Sequence, residues 1–220
     1  TAVGVDALTG NTTGNYNTAV GMQTLNDNTT GTNNTAVGAQ AMNALTTGGQ
    51  NVALGAEASE VATTGSNNVS LGFRAMHVLT TGSGNHAMGT LALQSLTTGS
   101  ANIGIGYNTG GSITTSSHNT MVGGESGTSC TTGHSNTCVG YASGGALLTG
   151  YNNIQIGDSC TGVTDGQANT YIGANLSGGN ANNFAKIYQG NIIASYGPSD
   201  SSWSFSSDGR DKTDIVDLTL

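Results

Sequence analysis

Positive charge is almost missing from this 220-residue sequence: its basic residues are Arg74, Lys186, Arg210 and Lys212, so residues 1–173 carry one cation in a chain of net charge −8. A surface without basic clusters has little to offer phosphate, which excludes nucleic acid and anionic lipid as partners. No window holds the ~18–20 apolar residues of a membrane-spanning helix, and the first residues lack a basic stretch followed by an apolar one. The chain therefore reads as soluble, without membrane insertion, and as a fragment, because Thr1 stands inside a repeat. Hydrophobic residues make up 35% of it and aromatics 5%, too little for a thick core. Disorder usually joins low hydrophobicity to high charge, but only 7% is charged, so order must be sought in periodicity. Cys130, Cys138 and Cys160 form no CxxC or Cys/His ligand pattern. They read as one disulfide plus a free thiol, or, the preferred reading, as three small core or interface residues.

What the sequence has in abundance is Gly, Asn and Thr, and these recur at a fixed spacing. The unit Asn-x-small-aliphatic-Gly starts at Asn17, Asn34, Asn51, Asn68, Asn85, Asn102, Asn119, Asn136, Asn153 and Asn169, each step being seventeen residues except the last, of sixteen. The partial unit Thr1-Ala2-Val3-Gly4 makes an eleventh row. A fixed period of this length marks a solenoid. Helix is a poor alternative, because each Gly costs a helix ~1 kcal/mol. Stacked at roughly 4.8 Å per row, the coils predict an all-β rod on the order of 50 Å long, in which the Asn column forms an amide ladder.

Alternation along each short strand assigns two faces. One bears the aliphatic column Val3, Val20, Val37, Leu54, Leu71, Met88, Ile105, Val122, Val139, Ile156 and Ile172, with Thr18, Thr35, Val52, Val69, His86 and Ile103 two residues earlier in their rows. This face is predicted to fill the coil. The other bears the Asn column with Ala19, Ala36, Ala53, Ser70, Ala87 and Gly104, small enough for a neighbouring subunit to approach, and then Met121, Cys138, Gln155 and Tyr171. A tight upper part and a looser lower part of the rod are expected from that change. The column Gly4 to Gly173 marks a corner of positive φ or close contact. Two or three apolar side chains per coil cannot offset ~1–2 kcal/mol of backbone entropy per residue, so a homotrimer, intertwined or side by side, is expected to bury further surface.

The rows Asn17-Thr-Ala-Val-Gly21-Met-Gln-Thr-Leu25 and Asn34-Thr-Ala-Val-Gly38-Ala-Gln-Ala-Met42 resemble the head repeats of trimeric autotransporter adhesins, in the longer spacing of bacteriophage tail fibres. The resemblance covers about residues 1–173 and implies a trimer of left-handed parallel β-rolls. Three regions follow: a β-roll repeat domain over 1–173, a β-hairpin neck over 174–204, and a junction to a C-terminal chaperone domain over 205–220. In the neck, Ala185 to Ala194 reads as a hairpin around Gln189-Gly190-Asn191, and Trp203 to Ser206 as another strand. The stretch Ser206-Ser-Asp-Gly-Arg-Asp-Lys-Thr-Asp-Ile215 resembles the start of the endosialidase-type intramolecular chaperone, which trimerises phage fibres and then cuts itself off. That resemblance implies Ser207 as nucleophile and Lys212 as general base of a single-turnover dyad in the precursor. Asp208, Asp211 and Asp214 crowd the lysine with negative charge, which opposes the lowered pKa a base needs, and Asp211 stands where the family commonly carries an apolar residue. A solvated polar strand end is the alternative.

Other chemistry finds little support. Thr-Thr-Gly turns recur at 12–14, 29–31, 46–48, 63–65, 80–82, 97–99 and 131–133; they read as satisfying backbone hydrogen bonds, although Thr ladders also suit ice or polysaccharide surfaces. His77, His86, His118 and His134 share no column, Glu57, Glu60 and Glu125 look scattered, and the Gly-rich stretches follow the coil period. No metal or cofactor is expected, nor any enzyme acting on an external substrate. The expected role is a structural and host-attachment segment of a virion tail fibre or tailspike, meeting a bacterial surface glycan or protein and other virion tail proteins. A bacterial adhesin head at the cell surface and an ice- or polysaccharide-binding solenoid are the alternatives.

Overall fold

Every seventeen residues the backbone returns to the same place. The computed structural model describes residues 1–162, 164–177, 182–183, 185–189, 192–197, 202 and 204–207. Its strands are β1 Ala2–Val3, β2 Thr18–Val20, β3 Thr35–Val37, β4 Val52–Leu54, β5 Val69–Leu71, β6 His86–Met88, β7 Ile103–Ile105, β8 Thr120–Val122, β9 Thr137–Val139, β10 Ile154–Ile156, β11 Thr170–Ile172, β12 Ala185–Gln189, β13 Ile192–Tyr196 and β14 Ser204–Ser207. They form one sheet in chain order, without a helix among the described residues. β1 to β12 pair in parallel and in repeat register, as in Thr18 opposite Thr35, Ala19 opposite Ala36 and Val20 opposite Val37. The chain is thus an all-β solenoid of about eleven coils. The step between paired residues falls to sixteen from Ile154 to Thr170 and to fifteen from Thr170 to Ala185. The sheet then turns antiparallel: β12 pairs with β13, and β13 with β14.

The two faces of the strands are the reverse of the sequence expectation. Ala19, Ala36, Ala53, Ala87, Met121, Cys138 and Tyr171 are fully buried, and so are the Asn residues beside them, whereas Val20, Val37, Leu54, Met88, Ile105 and Ile156 are 36–42% exposed. His86, expected inside, points outward with them. The reason is the width of the coil. The strand's inner face must share its space with a second buried segment of the coil, such as Thr24-Leu25, Ala41-Met42 or Ala92-Leu93, and beside such large side chains only a small residue fits. Thus a Cβ placed on Gly104 would stand 2.8 Å from Leu93 Cγ. The small-residue column is a packing requirement within the coil.

The same geometry overturns the expected loosening of the lower rod. Where Met121 and Cys138 enlarge the strand face, the facing segment supplies Gly127 and Gly144, and a Cβ at either would overlap the respective sulfur. In these two rows one column grows as the other shrinks, so the interior stays filled, as dense packing demands.

Corners need unusual backbone. The glycine ending each unit has φ between +124° and +141° from Gly4 to Gly173, and a Cβ at Gly38 would come 2.5 Å from the carbonyl oxygen of Gly55. Both the dihedral and the stacking distance therefore require glycine there. The next turn holds two left-handed residues per row, such as Gln23 (φ +53°) and Leu25 (φ +49°). A leucine in that region costs ~1–2 kcal/mol, which its full burial offsets.

Stacking is secured by two side-chain ladders. The Asn51 backbone N–H and side-chain Nδ2 donate to Asn34 Oδ1 at 3.0 and 3.1 Å, and Nδ2 also donates to the Gly65 carbonyl at 2.9 Å. The pattern recurs at Asn68, Asn85, Asn102, Asn119, Asn136 and Asn153. At the turns, Thr29, Thr46, Thr63, Thr80 and Thr97 each donate a hydroxyl to the carbonyl of the residue seventeen positions on, at 3.0 Å. The first threonine of each turn thus serves the backbone, as expected.

Candidate functional site

The outward aliphatic column is the most extended feature available for recognition. On one sheet face it joins Val20, Val37, Leu54, Met88, Ile105, Ile156 and Ile172 with Ile103 and Ile154, all between 36% and 42% exposed. Alternation puts them there: each three-residue strand directs its middle residue inward and its first and third outward. A stripe of exposed aliphatic side chains of this length is unusual for a monomeric soluble protein. At the adjoining corner Phe73, Tyr107 and Tyr141 share one column two rungs apart and are 44–56% exposed. Tyr141 donates to Glu125 Oε2 at 3.1 Å, and this carboxylate holds the phenol above its ordinary pKa.

A second cluster gathers ionisable side chains. Glu57 and Arg74 are seventeen residues apart, as are Glu60 and His77, so the pairs stack on neighbouring rungs. Arg74 Nε donates to Glu57 Oε2 at 2.6 Å, and Arg74 lies over the Phe73 ring, 5.1 Å from its centroid. His77 Nδ1 is 3.3 Å from Glu60 Oε2 and 3.5 Å from the Glu57 carbonyl oxygen. One donor atom each from Glu57, Glu60 and His77 lie within 4.8 Å of one another, all three residues half-buried. Glutamates that look scattered in the linear sequence are brought together here, and the period was the signal that could have found them.

The other candidates are placed as follows. Ser207 closes β14, its backbone opposite Ile192, while Lys212 lies outside the described residues, as do Asp208, Asp211 and Asp214. The proposed dyad therefore lies in part outside the described residues. Cys130, Cys138 and Cys160 are free, buried thiols, so the reading as core residues holds and the disulfide does not. Burial pushes the Cys130 and Cys160 thiols up to about 11 and Cys138 to about 12. His134 stacks on Tyr151, with ring centroids 4.9 Å apart.

No protein-family model, no curated protein and no solved structure matches this chain. Its class rests on the fold alone: a parallel β-solenoid with an amide-laddered interior and an apolar outer sheet face.

Proposed function

We propose that this chain is a structural and host-surface-binding segment of a trimeric bacteriophage tail fibre or tailspike. The observation that carries the reading is the aliphatic column on the outside of the sheet. Three copies turning these columns toward a common axis would bury them along the whole rod, supplying the apolar burial that so thin a coil lacks. The face that docks is then the aliphatic one, and the alanine face stays inside each coil. The likeness of the rows to tail-fibre repeats supports the owner and the left-handed winding that goes with them. The exposed Tyr107 and Tyr141 suit stacking contacts with a surface glycan. In this reading the part beyond Ser207 leads into a chaperone domain, and self-cleavage at Ser207 with Lys212 as base belongs to the precursor.

The test is the mass in solution and attachment to host bacteria, measured for the chain extended through its natural C-terminus. A trimer is expected, and Val37→Asp with Leu54→Asp and Ile105→Asp should release monomer while leaving the β signal in circular dichroism. A monomeric parent, or a trimer indifferent to the triple change, overturns the assembly. Absence of binding to every bacterial surface tried removes the attachment role. For cleavage, an identical full-length product from the parent and from Ser207→Ala defeats the dyad.

A further inference from the structure

We infer that Glu57, Glu60 and His77 form a site for a divalent transition-metal ion, with zinc the ion best suited to its donors. In a chain with 7% charged residues, four ionisable side chains converge on two neighbouring rungs: Glu57, Glu60, Arg74 and His77. Their distances suit coordination. Two ligands bonded to tetrahedral zinc at ~2.0–2.1 Å stand roughly 3.4 Å apart, and His77 Nδ1 already lies 3.3 Å from Glu60 Oε2. The Glu57 donor completes a triangle whose edges do not exceed 4.8 Å, a gap that rotation of a half-buried carboxylate closes. Arg74 holds Glu57 Oε2 at 2.6 Å. It leaves the other carboxylate oxygen for the ion and orients the ligand from behind, as outer-shell partners of metal ligands do.

The donor types define the ion. Two carboxylates and an imidazole favour zinc and its first-row neighbours over magnesium or calcium, which prefer oxygen alone. Three protein donors leave a fourth position for water or for a group on a partner molecule. The two carboxylates balance the ion's two charges, Arg74 leaving one positive charge beside them, and the site sits where successive rungs stack, so an ion there would clasp two coils together.

The experiment uses the full chain without a polyhistidine tag, freed of metal by chelation and titrated calorimetrically with zinc and, separately, with magnesium. Expected are one saturable zinc per chain, no magnesium heat, and a melting temperature raised by zinc. His77→Ala and Glu60→Gln should each weaken zinc binding at least ~10-fold and abolish the rise, with the β signal in circular dichroism checking that both variants fold. If both variants lose the fold, cobalt absorption of the parent decides: a tetrahedral d–d band with no thiolate charge-transfer band supports the site, and its absence overturns it. Zinc binding that survives His77→Ala, as capture by the buried thiols would, overturns the inference. So does the lack of saturable binding, which would leave His77 and Glu60 as an ion pair only. All three ligands belong to one chain, so a failed trimer leaves this inference standing and a failed titration leaves the trimer untouched.

Discussion

Met121 occupies the volume that a side chain at Gly127 would need: a Cβ on Gly127 would overlap Met121 Sδ, on a residue whose φ is +63°. Gly127→Ala therefore meets both a left-handed backbone and a filled core, and should destabilise the chain by ~2–4 kcal/mol in denaturant unfolding. Adding Met121→Ala should remove the overlap while keeping the backbone cost and creating a cavity, so recovery stays partial. Gly84→Ala is the control. Its φ is +69° but the nearest atom to its Cβ is 4.0 Å away, so only the dihedral cost of ~1 kcal/mol should appear.

The amide ladder should be least replaceable at its middle. Asn85 donates to Asn68 Oδ1 and to the Gly99 carbonyl, and its own Oδ1 accepts from the backbone and side chain of Asn102. Asn85→Ala strands buried donors and acceptors on two rungs, at ~3–5 kcal/mol by thermal unfolding. Asn85→Asp should be no better, because it replaces a donor with a buried carboxylate.

Gln155 runs the other way. It is fully buried, and neither its Nε2 nor its Oε1 has a hydrogen-bond partner. Gln155→Met keeps the length and removes an unsatisfied amide, so the melting temperature should rise, corresponding to ~1–3 kcal/mol. A fall would mean that the methionine side chain does not fit the space the buried amide fills, beside Gly162.

The three thiols give a pH signature. An aromatic disulfide reagent should leave Cys130, Cys138 and Cys160 unmodified in the folded chain and react with all three in denaturant, since burial raises each pKa from an ordinary value near 9 to about 11 or 12. Between those values the unfolded chain binds fewer protons than the folded one, so stability falls as pH rises. Thermal unfolding from pH 8 to 11 should show this decline, and replacing the three cysteines by alanine should flatten it.

Much of the fold was legible because the sequence repeats: strand position, corner glycine, amide ladder and turn threonine each followed from one column read down the rows. The faces were not legible. Val20 and Val37 are the largest apolar residues of their strands, and the rule that apolar side chains go inside assigned them to the core. The rule fails in a coil too narrow for two layers of large side chains, where Leu25 and Met42 enter from the opposite segment and Ala19 and Ala36 must give way. The compensation of Met121 by Gly127 was hidden for the same reason, because it relates two columns and each was read alone. The grouping of Glu57, Glu60 and His77 is written in the period, because Glu60 and His77 are seventeen residues apart, but it joins different residue types and so forms no column of one kind.

Most rungs make to the rung above the same backbone and asparagine bonds that they make to the rung below, so reach is quantised: seventeen residues add about 4.8 Å. In-frame duplication or loss of one repeat would lengthen or shorten the rod while keeping the asparagine ladder and corner glycines continuous across the splice. A gene of this kind works as an adjustable ruler, on which span can be selected independently of the side chains that meet a surface.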